Sequence, residues 1–364
     1  MALLMRTLVA FIILLLTLTV SASARPSHCK HPAVRKEWRA LSSRERAEWI
    51  AAVNCLATLP HDESLTPMVR PGDIVGVNAS SSYYDDIVYM HMDMNHKIHF
   101  TGLFLPWYRW YVQKYENALK DKCGYKGTSP YWNWAADSNN VKMSTIFDLD
   151  PKSGLGGWGL PSQDVHVQDG GFGVYTTFRL SYPSYHPLRR NFTIRPFVGL
   201  PLEFFPDQEL LANSSFTPEV VRDLVYGYVG DFKGFQTKFE FFTGAHGSVH
   251  EIFGGDLGGI CPSDSTICQP GPTFSANEPI FWLHHAMVDK VWYDWQNANE
   301  LNARAFEGGS VQMIDNITVY KEYSNGGPPN LHMDSVTTGE GLFDEFIIRD
   351  VISTTDGILC YSYE

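Results

Sequence analysis

The sequence predicts a mainly α protein with a helical centre, long loops and a single mature domain. Three observations predict it. Apolar residues recur at helical spacing in three separate stretches. Between the second and the third, residues 138–238 turn to Gly, Pro, Ser and aromatics with little periodicity, which reads as long loops laid over that centre. The composition is 44% hydrophobic, with 22 Phe, 18 Tyr and 10 Trp, far more apolar surface than a disordered chain carries. Because the motif-bearing stretches flank the loop-rich middle, the 364 residues read as one large domain behind a leader and not as two domains.

The leader comes first. Residues 1–24 carry an Arg at position 6, an apolar and hydroxyl run from Leu8 to Val20, and a close on Ala22-Ser23-Ala24, the three parts of a secretory signal peptide. The run is shorter than the about 20 apolar residues that span a bilayer, so no membrane anchor is expected after its removal. Residues 25–364 are then the mature domain, secreted or held in the lumen of the secretory pathway. The first helical stretch is Ser42 to Leu56, where Ser42 and Glu45 have capping-box spacing and Trp49, Ile50, Val53 and Leu56 share a face. The second runs from about Tyr84 to Lys120, with a break near Thr101-Gly102 and with Pro106 suited to a first turn. The third is Pro279 to Ala298, again with Pro at its start. Lys plus Arg number 28 against 40 for Asp plus Glu, a net charge of −12, the wrong sign for tracking a phosphate backbone; nucleic acid is not an expected partner.

Six cysteines lie in the mature chain, at 29, 55, 123, 261, 268 and 360, and an even count in an oxidising compartment implies disulfides, with fifteen possible connectivities. Cys261 and Cys268 bracket a Pro/Ser/Asp loop and can close locally, whereas Cys29 and Cys360 lie at opposite ends and can tie the termini; Cys55 and Cys123 are the other candidates. Asn-x-Ser/Thr sequons at Asn78, Asn191, Asn213 and Asn316 are candidate glycosylation sites on the same itinerary.

Thirteen histidines are many for this length. His246 and His250 are four apart, the helical spacing that presents two imidazoles to one metal. His284 and His285 are adjacent, about 100° apart on a helix, so one of them is expected to face that metal. His91 and His99 lie in the second stretch, shortly before its turn signal. Imidazoles without matching cysteines suit copper, zinc, iron or nickel.

These residues resemble the tyrosinases and catechol oxidases, proteins with a type-3 dicopper centre. Tyr84-Asp85-Asp86 through His91, His99, Thr101-Gly102, the run FLPWYRWY, Tyr115-Glu116 and the later PYWNWA resemble the family's first copper region. The run HGSVH at 246–250, Gly254-Gly255 and SANEPIFWLHHAMVDKVWYDWQ at 275–296 resemble the second. Cys29 with Val34-Arg35-Lys36-Glu37-Trp38-Arg39, and the closing Leu359-Cys360-Tyr361-Ser362-Tyr363, resemble the ends of the short secreted fungal members. The resemblance implies a central four-helix bundle holding two coppers, with long loops and short peripheral strands. It implies His246, His250 and His285 on the second copper, with His284 a structural neighbour, and His91 and His99 on the first. The family's third ligand to the first copper falls nine residues after His99, where this chain has Tyr108. Tyr108 is therefore either a phenolate ligand or one more aromatic of a buried helix, and His96 is a possible substitute.

Other departures are smaller. Glu278-Pro279 stands for the family's Asp-Pro, a longer carboxylate still able to cap the last helix, and Lys97 excludes the Cys–His thioether of some members. Gly247 stands where monophenolases often place a water-orienting Asn, and Glu240, six residues before His246, is not expected to reach a substrate proton, so no catalytic general base is identified beyond the metal ligands. The resemblance implies a copper oxidoreductase that acts on a phenol or catechol with O2, and the altered first site points to a specialised tailoring enzyme of tyrosine-derived, peptide or polyketide metabolism. The alternatives are a non-catalytic copper or oxygen-binding relative, or an oxidase using the second copper alone.

Overall fold

A computed structural model describes residues 29–364, so the expected leader at 1–24 lies outside the described residues. The first predicted stretch forms α1 (Ser43–Leu56): the Ser42 side chain accepts from the Glu45 N–H while the Glu45 carboxylate accepts from the Ser42 N–H. The second splits where Thr101-Gly102 predicts. α2 (Tyr83–Ile98) begins on another capping box, Ser82 with Asp85, and α3 (Phe104–Cys123) ends at Gly124, whose φ of 69° suits a residue without a Cβ. After a short α4 (Trp134–Asp137) the chain runs in loops and single 3-10 turns to Thr217.

The last part of the predicted loop region is a correction, because it holds α5 (Pro218–Gly227) and α6 (Phe232–Glu240). Thr217 and Asp231 cap them through their side chains, and Val220, Val221, Leu224 and Val225 give α5 an apolar face. α7 (Ala245–Phe253) carries the His246/His250 pair, α8 (Ile280–Ala298) is the third predicted stretch, and α9 (Ile317–Glu322) and α10 (Arg349–Ile352) are short. The strands are short and peripheral, as expected. β1 (Ala33–Arg35) pairs in parallel with β6 (Tyr361–Tyr363), while β2 (Gly309–Val311) with β3 (Gly327–Asn330) and β4 (Val336–Thr337) with β5 (Phe346–Ile347) are antiparallel.

The bundle of α2, α3, α7 and α8 encloses the histidines, and its helices are set against one another by buried aromatics and one ionic knot. Tyr115 on α3 stacks on Trp282 of α8 at 3.7 Å between ring centroids. Arg109 Nε on α3 donates to Asp289 on α8 at 2.5 Å, all of it buried. The hydroxyls of Tyr361 and Tyr363 donate to the same carboxylate at 2.5 and 2.6 Å, and Arg35 of β1 reaches both Asp289 (3.4 Å) and Glu116 (3.2 Å). Burial by itself would raise the Asp289 carboxyl, yet Arg109 and Arg35 hold it below the usual range. Arg109 follows Tyr108, and Asp289 is one helical turn past His285. This pair therefore sets which residue of α3 faces His285.

The six cysteines pair as Cys29–Cys360, Cys55–Cys123 and Cys261–Cys268, so both suggested pairings stand and the remaining two cysteines join. The first closes the chain ends beside the β1–β6 ladder. Thiol titration of the unfolded, unreduced protein is expected to find none; two or more reactive thiols would overturn this pairing. Among the described residues no helix is long and apolar enough to cross a membrane.

Candidate metal centre

Four helices bring the predicted histidines together. His91 comes from α2 and His99 caps its C-terminus, Tyr108 lies on α3, His246 and His250 on α7, and His284 and His285 on α8. All are buried. Burial foremost, reinforced by the neighbouring imidazoles around His91, His99, His246, His284 and His285, pushes these rings below their ordinary pKa, to about 3 for His99 and about 4 for His250. They are neutral at physiological pH, the state that ligates a metal.

Backbone carbonyls fix three of the rings. His91 Nδ1 donates to Thr273 O at 2.7 Å, His250 Nδ1 to Leu257 O at 2.9 Å and His99 Nδ1 to Asn95 O at 3.2 Å. A carbonyl only accepts, so each Nδ1 carries the proton and each Nε2 presents a lone pair inward.

The second predicted set fits a metal. One nitrogen from each of His246, His250, His284 and His285 lies within 4.8 Å of the others, so a His cluster able to hold copper is present. His250 Nε2 and both nitrogens of His246, His284 and His285 are buried without a hydrogen-bond partner, an arrangement that costs free energy unless a cation takes the lone pairs. The structure brings both members of the 284/285 pair to this cluster, where helical geometry predicts one. They differ in what else they touch. His285 stacks on Tyr108 at 3.8 Å and 9°, on the side of His91 and His99, whereas His284 stacks on His246 at 5.4 Å and faces Trp134.

The first set is His91, His99 and Tyr108. Tyr108 Oη lies 2.7 Å from His91 Nε2 and 3.0 Å from His99 Nε2. Both nitrogens are lone-pair acceptors, and one phenol O–H donates to only one acceptor at a time. Two imidazole lone pairs and a phenol oxygen therefore converge with a single proton among them. Burial, with Tyr111 and Glu240 nearby, holds the Tyr108 phenol well above its usual pKa, so ionising it requires a cation on the oxygen. A donor set of two nitrogens and one anionic oxygen suits Cu(II). His96 is not a substitute. It is exposed and pairs with Asp73 at 3.1 Å.

A cavity of about 280 Å³ opens on the cluster; His99, His246 and His250 line it, with Phe100, Phe242, Leu257 and Ile314 as apolar walls. Glu240, six residues before His246 in the chain, lines it as well. Burial pushes its carboxyl up to about 8 although the Phe100 N–H (2.5 Å) and Gln236 Nε2 (2.8 Å) donate to it. Phe100 has a φ of 54°, unusual for a residue with a Cβ, so Glu240 also holds the strained backbone next to His99. Gly247 has a packing reason. A Cβ there would lie 2.5 Å from Phe242 O, leaving no room for an Asn without backbone movement. Glu278 pairs with Arg190 at 2.8 Å and accepts from the Ile280 N–H at 3.2 Å, so it satisfies one first-turn donor of α8, whose N-cap is Pro279, while anchoring the long loop before α5.

Among the sequons, Asn78, Asn191 and Asn316 are exposed. Asn213 is half-buried, and its Nδ2 donates to Ser138 O at 2.8 Å.

A model of the common central domain of tyrosinase matches residues 81–298. The tyrosinase-like protein phomQ1 of Diaporthe leptostromiformis is 31% identical over 357 residues, covering 93% of this chain and 79% of that protein. The N-acetyl-6-hydroxytryptophan oxidase ivoB of Emericella nidulans is 25% identical over 383 residues, covering 94% and 95% of the two chains. Among solved structures, a variant of the polyphenol oxidase from Thermothelomyces thermophila is similar at a TM-score of 0.67 and 25% identity, covering 92% of this chain and 89% of that one. The match of the central domain takes in both histidine sets and the helices that carry them, and the chain belongs to the tyrosinase and polyphenol oxidase family of copper oxidoreductases.

Proposed function

We propose that residues 25–364 form one secreted, or secretory-lumen, oxidase domain with two coppers, one held by His246, His250 and His285 and the other by His91, His99 and Tyr108. It acts on a phenol or catechol with O2 as a tailoring enzyme of secondary metabolism, on a tyrosine-derived, peptide or polyketide compound. The observation that carries this reading is the Tyr108 hydroxyl within hydrogen-bonding distance of both inward-facing Nε2 atoms. A relative named as the oxidase of N-acetyl-6-hydroxytryptophan supports one defined small molecule as substrate. N-linked glycans belong at Asn78, Asn191 and Asn316, with Asn213 held by its hydrogen bond.

Bound copper supplies electron exchange between the phenol and O2. The chain supplies the rest. Carbonyls of Thr273, Asn95 and Leu257 orient three imidazoles with their lone pairs inward. Phe100 and Phe242 wall an aromatic ring into the cavity, and Glu240 braces that wall through its hydrogen bonds with Phe100 N–H and Gln236 Nε2.

Elemental analysis of the purified protein is expected to give two coppers per chain. His285→Ala should lower this by one, while His284→Ala should lower stability more than copper content. If His284→Ala is the variant that empties the site, the roles of the pair are reversed. A second reading, with one copper at the α7–α8 cluster, draws on the same hydroxyl, because Tyr108 already gives His91 and His99 a hydrogen-bond partner; one copper per chain in the wild type would select it.

A further inference from the structure

One loop between α7 and α8 serves both histidine sets. Leu257 O accepts from His250 Nδ1 at 2.9 Å, and Thr273 O, further along the same loop, accepts from His91 Nδ1 at 2.7 Å. Between these two carbonyls the chain is closed on itself twice. The Gly271 N–H donates to Gly259 O at 2.9 Å, and Cys261 is joined to Cys268. The neck is tight, because a Cβ on Gly259, where φ is 66°, would run into Gly271 O. One limb is anchored in the protein. The buried Arg189 guanidinium donates to Ile260 O at 2.6 Å and to Cys261 O at 3.0 Å, and Asp256, at the base of the loop, accepts from the Arg189 N–H at 2.7 Å and from His186 Nε2 at 2.8 Å. The other limb walls the cavity with Gln269, Pro270 and Pro272 and runs directly into Thr273. The disulfide and the Gly259–Gly271 bond pass the anchorage from the first limb to the second.

We propose that loop 257–273 is a positioning element common to the two histidine sets: clamped by Arg189 and closed by Cys261–Cys268, it holds His250 and His91 in one mutual orientation, so that this disulfide governs metal retention. Each carbonyl fixes the tautomer and ring plane of its imidazole, and losing such a partner lowers metal affinity roughly 10–100-fold. Because both carbonyls belong to one closed loop, loosening it weakens both sets together. For folding the same bond counts for less. It joins residues 7 apart, against 68 for Cys55–Cys123, and the stabilisation from a disulfide grows with the loop it closes. This inference rests on the two-copper reading of the site.

The test compares two double variants of the copper-loaded protein, Cys261→Ser with Cys268→Ser and Cys55→Ser with Cys123→Ser, by Tm and by the rate at which excess EDTA extracts copper. The second is expected to have the lower Tm yet to lose copper near the wild-type rate, whereas the first should lose both coppers at least tenfold faster. Gly259→Ala, which forces the neck apart with every cysteine in place, should show the same fast extraction and serves if the first double variant does not fold. Extraction rates that simply follow Tm, or acceleration for one copper alone, overturn the inference. A wild type that holds one copper removes the two-copper reading instead. The inference is then decided on the copper-free protein by NMR of the histidine ring N–H protons: it holds if those of His91 and His250 both exchange faster with water in Gly259→Ala, and falls if one or neither does.

Discussion

Tyr108→Phe is expected to bleach the visible absorption of the copper-loaded protein and to lower its copper content by one per chain. A phenolate on Cu(II) gives a ligand-to-metal charge-transfer band that imidazoles alone lack, and Phe removes the oxygen while keeping the ring stacked on His285. It also leaves the Nε2 atoms of His91 and His99 buried without their partner, at about 1–3 kcal/mol for each group that stays unsatisfied. Tyr108→His, by contrast, supplies a third neutral imidazole. Turnover of simple catechols should then rise, on the order of ten- to a hundredfold, the range over which groups around a metal tune activity. Absorption spectra and catechol oxidation rates of the two variants check both statements. A wild type that already holds two coppers, forms the peroxide band under O2 and oxidises catechol as fast as the His variant would make Tyr108 a bystander.

Asp289→Ala should be the most destabilising single change in the bundle. It removes one carboxylate from a buried knot shared by Arg109, Arg35, Tyr361 and Tyr363, leaving two guanidinium groups in the interior short of their partner. Breaking a buried pair from one side costs about 3–5 kcal/mol. For a chain of this size the unfolding entropy is about 0.7 kcal/mol/K, roughly 1.4 °C per kcal/mol, so Tm falls by roughly 4–7 °C. The control is Glu48→Ala, which removes an exposed i,i+4 partner of Arg44 and should leave Tm unchanged within error. Because Arg109 follows Tyr108, the loss should also loosen the stack on His285 and lower copper retention in parallel. A melting temperature like that of the control would show that the knot is not what joins α3 to α8.

Periodicity placed α1, α2, α3 and α8 close to their observed limits, because each has a local cap or breaker written next to it: Ser42 with Glu45, Gly124, Pro279. It missed α5 and α6, although Val220, Val221, Leu224 and Val225 carry a helical pattern, because the Gly, Pro and aromatic residues around them have no period. The i,i+4 spacing of His246 and His250 was legible for the same local reason. Glu240 was not. Six residues before His246 in the chain, it reaches the cavity because a break between α6 and α7 turns the backbone, and sequence distance carries no information about such a turn.

The sequence by itself determined the helical class, the identity of the histidines and the presence of Tyr108 where the family's pattern has an imidazole, since these depend on residue type and short-range spacing. Only the tertiary structure decided that the Tyr108 hydroxyl meets both His91 and His99 and that His284 and His285 both reach the α7 pair. Each of these depends on how α2, α3, α7 and α8 are set against one another. That setting comes from long-range packing and from the Arg109–Asp289 pair, 180 residues apart in sequence, and no local pattern encodes it.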